Sequence, residues 1–209
     1  MTVITPEQKV YSQRGEPVWQ IAVLFPTQGN WSETDYLALE SNHLVEFSNG
    51  TVEILPMPTR FHQDIVAYLY EAFLLFVRPN QLGRLWFAPL PLRLWERKFR
   101  EPDIMFLATE NLDKAQGAYP HGADLVVEVV SGSQKDRDRD LIEKRIEYAQ
   151  AGISEYWIVD PETQTITVLR LDGRQYLVHG EFGTGNEATS WLLAGFQVSV
   201  DAVFAAANQ

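Results

Sequence analysis

The stretch ADLVVEVVSGS, residues 123–133, constrains the fold of this chain more than any other segment. Its apolar residues form an almost continuous run, which is typical of a strand buried on both faces of a sheet. Glu128 interrupts the run, although burying a carboxylate that has no partner is costly. The segment therefore predicts a sheet covered on both sides and a special environment around Glu128.

The rest of the sequence alternates helical and strand patterns. Two β-rich runs flank Asn49-Gly50, a pair that favours a tight hairpin turn. Apolar residues then recur at helical spacing over residues 65–76, in a helix that Thr59 can cap and Pro79 ends, and strand-like segments follow. A further helix is predicted to end at Gly152, before three more strands and a last short helix near Asp201. This order is typical of an α/β or α+β domain built on a mixed sheet.

The length of 209 residues favours one domain, predicted here as residues 31–209, after an irregular N-terminal arm over residues 1–30. Within the arm, residues 18–24 are predicted to form a short strand. A short helix is predicted after Ser32, with Asp35 completing a capping box.

Composition excludes several classes of site. The chain has no cysteine, so disulfides and thiolate metal sites are excluded. Its net charge of −11 opposes nonspecific binding to nucleic acid. We expect no membrane span and no secretory signal, and therefore a cytoplasmic protein, because neither pattern occurs. No small-molecule cofactor is expected.

Three acidic residues stand on otherwise apolar strands: Glu46, Asp103 and Glu128. Because alternate residues of a strand share a face, Glu128 is predicted to lie on the side of Val126 and Val130. Several carboxylates in one small domain favour a shared cation, since they would repel one another in a low-dielectric site. Oxygen ligands without cysteine suit Mg²⁺ or Mn²⁺.

The helix that follows Glu128 could add a cation to these acids. Its predicted apolar arc consists of Leu141, Ile142, Ile146, Tyr148 and Ala149. Lys144 falls at the edge of that arc, so its stem can cover the core while its ammonium reaches a polar pocket. Arg145 falls inside the arc and is the rival cation.

Each acid also has a structural alternative. Glu128 could be an ordinary ion-pair partner, Asp103 could be a strand-entry residue, and Glu46 could face solvent. His62 shares a helical side with apolar residues, so a core histidine is an equal alternative to a catalytic one.

The charged segments are open to simple interpretations as well. QKDRDRD, residues 134–140, is most simply a solvated turn. Five basic residues could form a nucleic-acid groove or be the polar sides of strands: Arg84, Arg93, Arg97, Lys98 and Arg100.

An ordered set of motifs resembles a known family. The segments are VEFSNGTVEILPMPTRFHQDI, EPDIMF, LVVEVVSGS, EKRIEYAQAGISEYWIVDP and ITVLRL. Each is weak alone, but their order resembles the PD-(D/E)XK nuclease core and, more narrowly, the Uma2 family, also called DUF820. The resemblance implies a restriction-endonuclease-like mixed central sheet flanked by helices, with an added N-terminal hairpin and C-terminal strands.

The function implied by the resemblance is that of a metal-dependent endonuclease acting on DNA. A homodimer is expected because cleavage of two strands suits two copies of one site. The alternative is a homodimeric nuclease-fold protein that binds or regulates without cutting. The resemblance assigns metal binding to Asp103, Glu128 and the Val129 carbonyl, with Mg²⁺ or Mn²⁺ as the cofactor.

The resemblance also assigns the remaining site residues. Lys144 is the expected catalytic lysine, because Val130 occupies the third position of the (D/E)XK motif, where the simplest pattern has lysine. Glu46 is expected as an additional acid of the site, and His62 as a histidine that this family often has.

Overall fold

The protein is built around a six-stranded mixed sheet, and the computed structural model describes residues 22, 24–39, 43–130 and 134–207. Up to the central strand, the elements are α1 (Glu33–Leu37), β1 (Val45–Ser48), β2 (Thr51–Ile54), α2 (Arg60–Val77), β3 (Gly83–Phe87), β4 (Leu92–Trp95), β5 (Lys98–Arg100), β6 (Ile104–Ala108), a 3₁₀ helix (Thr109–Ala115) and β7 (Leu125–Val129). After it come α3 (Gln134–Asp138), a π-helical turn (Arg139–Glu143), α4 (Lys144–Gln150), β8 (Glu155–Asp160), β9 (Thr165–Asp172), β10 (Gln175–Phe182), β11 (Glu187–Thr189), β12 (Gln197–Ser199) and α5 (Val200–Ala206).

The large sheet has the strand order β10-β9-β8-β7-β6-β3. Its central strands β7 and β8 run parallel, and the other neighbours are antiparallel. Parallel neighbours need a crossover connection, and α3, the π-helical turn and α4 supply it. Every residue of β7 is buried, which confirms the strand predicted from its apolar run.

Helices cover both faces of this sheet. On one face, Phe73 of α2 and Phe204 of α5 belong to the same apolar core as Val127. On the other face, Tyr148 of α4 packs with Val126 and Val130. Glu128 alternates with Val127 and therefore lies on the α4 side, as the strand pattern predicts. None of the helices in the described part of the chain is both long and apolar enough to cross a bilayer.

A second, four-stranded sheet has the order β2-β1-β5-β4 and carries the predicted hairpin. Asn49 and Gly50 form its turn with φ angles of 48° and 90°, the positive values that the sequence predicts. Helix α1 begins with the expected capping box of Ser32 and Asp35. Its Tyr36 packs in a small core beside this sheet. The sheet brings β1 and β5 to the functional site.

The predicted N-terminal arm is described only in part. Of residues 18–24, the structure describes Ala22 and Leu24, so the predicted strand there lies outside the described residues. Further on, the backbone N–H groups of Gly29 and Trp31 donate to the Gly50 carbonyl at 2.8 and 3.1 Å. Residues just before α1 therefore pack on the hairpin turn.

The charged segment over residues 134–140 corrects one prediction. It is helical rather than a turn, and Asp136, Arg139 and Asp140 within it are buried. The Arg139 guanidinium lies 2.7 Å from the Asp136 carboxylate. Charges that pair with one another in this way can be buried without leaving an uncompensated ion. The alternating charges of Asp136, Arg139 and Asp140 therefore reflect ion pairing inside the protein and not exposure to solvent.

The predicted apolar arc of the crossover helix is also wrong in part. Ile142 and Ile146 are 56% and 63% exposed, whereas Lys144 is only 2% exposed. The π-helical turn contains more residues per turn than an α-helix, so it shifts which side chains face the sheet. The buried side consequently carries Asp140, Lys144 and Tyr148 at four-residue spacing.

Glu155 shows how this fold satisfies a buried carboxylate that has a structural role. It is fully buried at the start of β8 and accepts four hydrogen bonds. One oxygen accepts from the Trp157 indole and the Ser190 hydroxyl, each at 2.6 Å. The other accepts from the backbone N–H groups of Trp191 and Leu192 at 2.6 and 2.7 Å. Glu155 therefore ties β8 to the segment that precedes β12.

We expect Glu155→Gln to lower the free energy of unfolding by about 3 kcal/mol, because an amide NH₂ would face N–H donors and leave them unsatisfied. Urea denaturation measures the change. Glu181→Gln, at an exposed position of β10, serves as the control and should change stability by less than about 0.5 kcal/mol. Equal effects of the two substitutions would contradict the structural role of Glu155.

Candidate active site

The pairing of β6 with β7 brings the two predicted metal ligands together. Ile104 pairs with Val127 and Met105 with Val126 in antiparallel register. The same register, extended by one residue, places Asp103 opposite Glu128. Residues opposite one another in such a pair share a face of the sheet, so acids 25 positions apart become neighbours (128 − 103).

Asp103 is held from two sides. Its Oδ2 accepts a hydrogen bond of 2.7 Å from the backbone N–H of Val129. The same oxygen lies 3.3 Å from Nε2 of His62, in the first turn of α2. The Thr59 side chain accepts from the His62 backbone N–H and so caps this helix, as the sequence predicts. His62 is therefore a neighbour of the acids and not an isolated core histidine.

Glu128 is held by two residues one turn apart on α4. Its Oε1 lies 2.8 Å from Nζ of Lys144 and accepts a 2.6 Å hydrogen bond from the Tyr148 hydroxyl. The rival cation Arg145 instead donates to the Tyr176 carbonyl, on β10. The structure thus selects Lys144 over Arg145 as the cation beside Glu128. This contact is also the ion pair of the structural alternative, so the catalytic role of Lys144 stays a prediction.

Lys144 is surrounded by carboxylates. Besides Glu128, its ammonium lies 3.1 Å from Asp140 Oδ1 and 3.4 Å from Glu46 Oε1. Burial of the amine opposes its charged form, but these three acids outweigh burial and raise the pKa of Lys144 above its ordinary value. Lys144 is therefore a permanent cation at neutral pH.

Glu46 is buried and does not face solvent. Burial alone would raise the pKa of Glu46, but Lys144, Arg100 and Arg139 lower it to about 2. The Arg100 guanidinium binds Glu46 and, through Nε at 2.7 Å, Glu147 of α4. Glu46 is thus an ionised partner of the site's cations.

Three of the five basic residues of the predicted cluster take part in ion pairs. Lys98 and Arg100 are buried in β5, and Lys98 lies 2.5 Å from Glu147. Arg93 pairs with Glu33. These three residues are polar sides of strands that pair with carboxylates, whereas Arg84 and Arg97 are exposed.

Negative charge accumulates around Glu128 and Asp103. Burial raises the pKa of Glu128, Lys144 opposes the shift, and the charges of Asp140, Asp103 and Glu46 raise the pKa further. For His62, burial opposes the charged form, but the hydrogen bond and charge of Asp103 raise its pKa above the ordinary value. Added positive charge would therefore relieve the repulsion among these acids.

A cavity of about 30 Å³ lies among these groups. A space of this size holds one water molecule or one ion. The residues that line it are Leu44, Leu55, Pro56, Pro58, His62, Glu101, Asp103, Glu128, Val129, Arg139, Asp140 and Lys144. All the predicted site residues line it except Glu46, which lies behind Lys144.

The donor set around the cavity fits Mg²⁺ in its chemistry. Asp103, Glu128 and Val129 line the space, and Mg²⁺ commonly takes one or two carboxylates with waters. Glu101 also lines the cavity, and its buried Oε2 has no hydrogen-bond partner in the described part of the chain. Within the described residues, no three carboxylate or imidazole side chains converge as a ready-made metal site. Metal binding therefore stays a prediction.

Sequence reasoning missed five residues of this site: Arg100, Glu101, Arg139, Asp140 and Tyr148. Asp140, Lys144 and Tyr148 recur every four residues, which on a helix places them on one side. That spacing was the available signal for Asp140 and Tyr148. Arg100 and Glu101 depend on the pairing of β5 with β1, which a three-residue strand does not reveal.

Comparisons with known proteins agree on the fold. A family model described as "Uma2: Putative restriction endonuclease" matches residues 32–201. The crystal structure of "a putative nuclease belonging to DUF820" from Anabaena variabilis aligns with a TM-score of 0.69 and 18% identity, covering 85% of this chain and 99% of that one. Its likeness confirms the predicted restriction-endonuclease-like fold, a mixed sheet flanked by helices.

The type IIG restriction endonuclease BpuSI aligns with a TM-score of 0.38 and 15% identity, over 73% of this chain and 17% of that one. This second likeness is too weak to support any inference. No curated protein matches the chain.

Replacing Lys144 by Met tests the ion cluster in the absence of metal. We expect a loss of about 3–5 kcal/mol in the free energy of unfolding, because three buried carboxylates lose their shared cation. The matched control is Lys135→Met, since Lys135 pairs with Glu53 at a site where its side chain is 80% exposed. The control should lose less than about 1 kcal/mol in urea denaturation. Similar losses for both variants would show that the Lys144 cluster adds no stability.

Proposed function

Because the chain belongs to the Uma2 family, we propose that it is a metal-dependent endonuclease that hydrolyses phosphodiester bonds in DNA. Family and fold favour a nuclease-like function, and one observation carries the finer proposal. Asp103, Glu128 and Lys144 come from three separate elements and line a single small cavity. Two acids and a permanent cation around an ion-sized space suit hydrolysis of a phosphodiester.

The proposed roles follow from the contacts of each residue. Asp103 and Glu128, with the Val129 carbonyl, would hold Mg²⁺ or Mn²⁺. Such an ion, when bound, lowers the pKa of a water and offsets the charge of the phosphate. The Val129 N–H keeps Asp103 aimed at the cavity. Since the pKa of Lys144 is raised, its ammonium stabilises developing negative charge and does not act as a base.

His62 and Glu46 are proposed to act on other side chains. His62 contacts Asp103 at 3.3 Å and would fix its orientation while adding positive charge near it. Glu46 lies 3.4 Å from the Lys144 ammonium and binds Arg100. Its proposed role is to position Lys144, and it is not placed among the metal ligands.

A nuclease-fold protein that binds or regulates without cutting is the second candidate. The specific observation in its favour is the 2.8 Å contact between Lys144 and Glu128, which neutralises a proposed metal ligand. The two candidates share the fold and the cavity. They differ in whether a metal ion displaces the Lys144 ammonium from Glu128. The proposed homodimer is compatible with either candidate.

Nicking of supercoiled plasmid tests the proposal. We expect wild-type protein to nick with Mg²⁺ or Mn²⁺, and Asp103→Asn and Lys144→Met each to lower the rate at least about 100-fold. The first removes a proposed ligand of the metal ion, and the second removes the ammonium that would compensate negative charge in the transition state. Asp124→Asn is the matched control. Asp124 is an equally buried aspartate just before β7, and its carboxylate accepts from Ala108 and Asn111, away from the cavity.

The control variant should keep most of the rate per folded molecule. Equal nicking by wild type, Asp103→Asn and Lys144→Met would indicate a contaminating nuclease and contradict the proposal. No nicking by wild type would favour the second candidate.

Metal binding can be tested without activity through Tyr148. We expect Tyr148→Phe to weaken Mn²⁺ binding about 10-fold or more, because Glu128 loses the hydroxyl that orients it. Tyr176→Phe is the control, since that buried hydroxyl donates to the Ile153 carbonyl. The measurement is the rise in melting temperature across a Mn²⁺ titration. Identical titration curves for the two variants would exclude Glu128 as an oriented metal ligand.

A further inference from the structure

A second pocket, of about 270 Å³, adjoins the site cavity. His62 lines both spaces, and the consecutive residues Val129 and Val130 line one each. The His62 side chain and the peptide bond between Val129 and Val130 therefore lie between the two spaces. The smaller cavity has room for an ion, whereas the larger pocket has room for a ring system.

The walls of the larger pocket are mainly apolar. Phe61 of α2, Val130 at the end of β7 and Pro161 after β8 contribute them. Phe61 is partly buried against the main core, so its ring is held in place. Ring and proline surfaces of this kind receive flat, weakly polar groups through stacking and apolar contact.

The charge of the pocket argues against a phosphate as its occupant. Arg137 is the only cation with a permanent charge among the described residues that line it. Its guanidinium already makes a two-bond contact with Asp160, at 3.0 and 2.6 Å, and lies 3.0 Å from Glu162. A guanidinium flanked by two carboxylates has no net positive charge to offer an anion. The pocket therefore suits an uncharged planar group.

His62, which lines both spaces, carries one polar atom without a described partner. Nδ1 of His62 is buried and has no hydrogen-bond partner within residues 43–130 and 134–207, while Nε2 lies 3.3 Å from Asp103. A flat ligand with a polar edge would satisfy this atom, which an apolar ligand would leave unpaired.

We propose that this pocket holds the base of a nucleotide adjacent to the scissile phosphate, turned out of its stack and placed against Phe61. The inference rests on the proposed nuclease function and adds to it how the substrate is held. A base carries no charge, so the contact also suits a chain with a net charge of −11, which gains little from phosphate neutralisation. Recognition would come from stacking more than from a basic surface.

The test compares two single-stranded probes with the same backbone. One is a short oligothymidylate, and the other is its analogue with abasic tetrahydrofuran residues. We expect wild-type protein with Mn²⁺ to favour the base-bearing probe in kcat/KM by about 5- to 150-fold, the range that stacking of one base supplies. Phe61→Ala should bring that ratio close to one.

Phe76→Ala is the matched control. Phe76 lies on the same helix and is likewise partly buried against the main core, but it packs against Phe196 away from the pocket. This variant should keep the wild-type ratio. If Phe61→Ala does not fold, Phe61→Leu keeps apolar volume without a ring and should lower the ratio as well.

Binding separates failure of the pocket from failure of the nuclease. Anisotropy of the same two probes, labelled with a fluorophore, gives a ratio of Kd values that needs no cleavage. Absence of cleavage with a base preference in Kd that Phe61→Ala removes would overturn the proposed nuclease and support the pocket. Equal use of both probes by wild type, an unchanged ratio in Phe61→Ala, or no binding of either probe would overturn the pocket.

Discussion

The contact between the Lys144 ammonium and the Glu128 carboxylate is the interaction on which this structure depends. A strand covered on both faces tolerates an internal acid only when a partner compensates it, and α4 carries that partner beneath β7. The compensation is incomplete: the cavity is lined by four acidic residues and two permanent cations, and burial together with the neighbouring acids raises the pKa of Glu101 to about 7 and that of Glu128 to about 8. A surplus of carboxylates around an ion-sized space is the arrangement from which a divalent cation gains most.

Two buried glutamates of the same sheet show how structural and functional acids differ. Four neutral donors, distributed over both oxygens, satisfy Glu155. Glu155 does not line the cavity that Glu128 lines. Among the described residues, Glu128 has two donors, Lys144 and Tyr148, both on one oxygen, and it lines the cavity. The first pattern locks two segments together, whereas the second holds a carboxylate in a chosen orientation. This contrast supports the proposed metal-binding role of Glu128 more strongly than burial alone.

The sequence predicted what strand periodicity and end signals can reveal. The hairpin at Asn49, the capped helices, the buried strand and the side on which Glu128 lies are all present. The features that the sequence did not predict depend on strand pairing between distant segments or on an irregular helical turn. The three-residue strand β5 places Arg100 at the site. The π-helical turn determines which side of the crossover helix is buried, so Ile146 is exposed and Lys144 is not. The roles of the site residues remain predictions, and the cavity that all of them except Glu46 line favours these roles.

The most direct measurement is a crystal structure of the protein with Mn²⁺, using the anomalous scattering of the metal to locate it. Our account predicts a peak between the Asp103 and Glu128 carboxylates, about 2.0–2.3 Å from an oxygen of each, with the Lys144 ammonium beside it. A peak at any other position, or its absence while Lys144 remains bound to Glu128, would contradict the account.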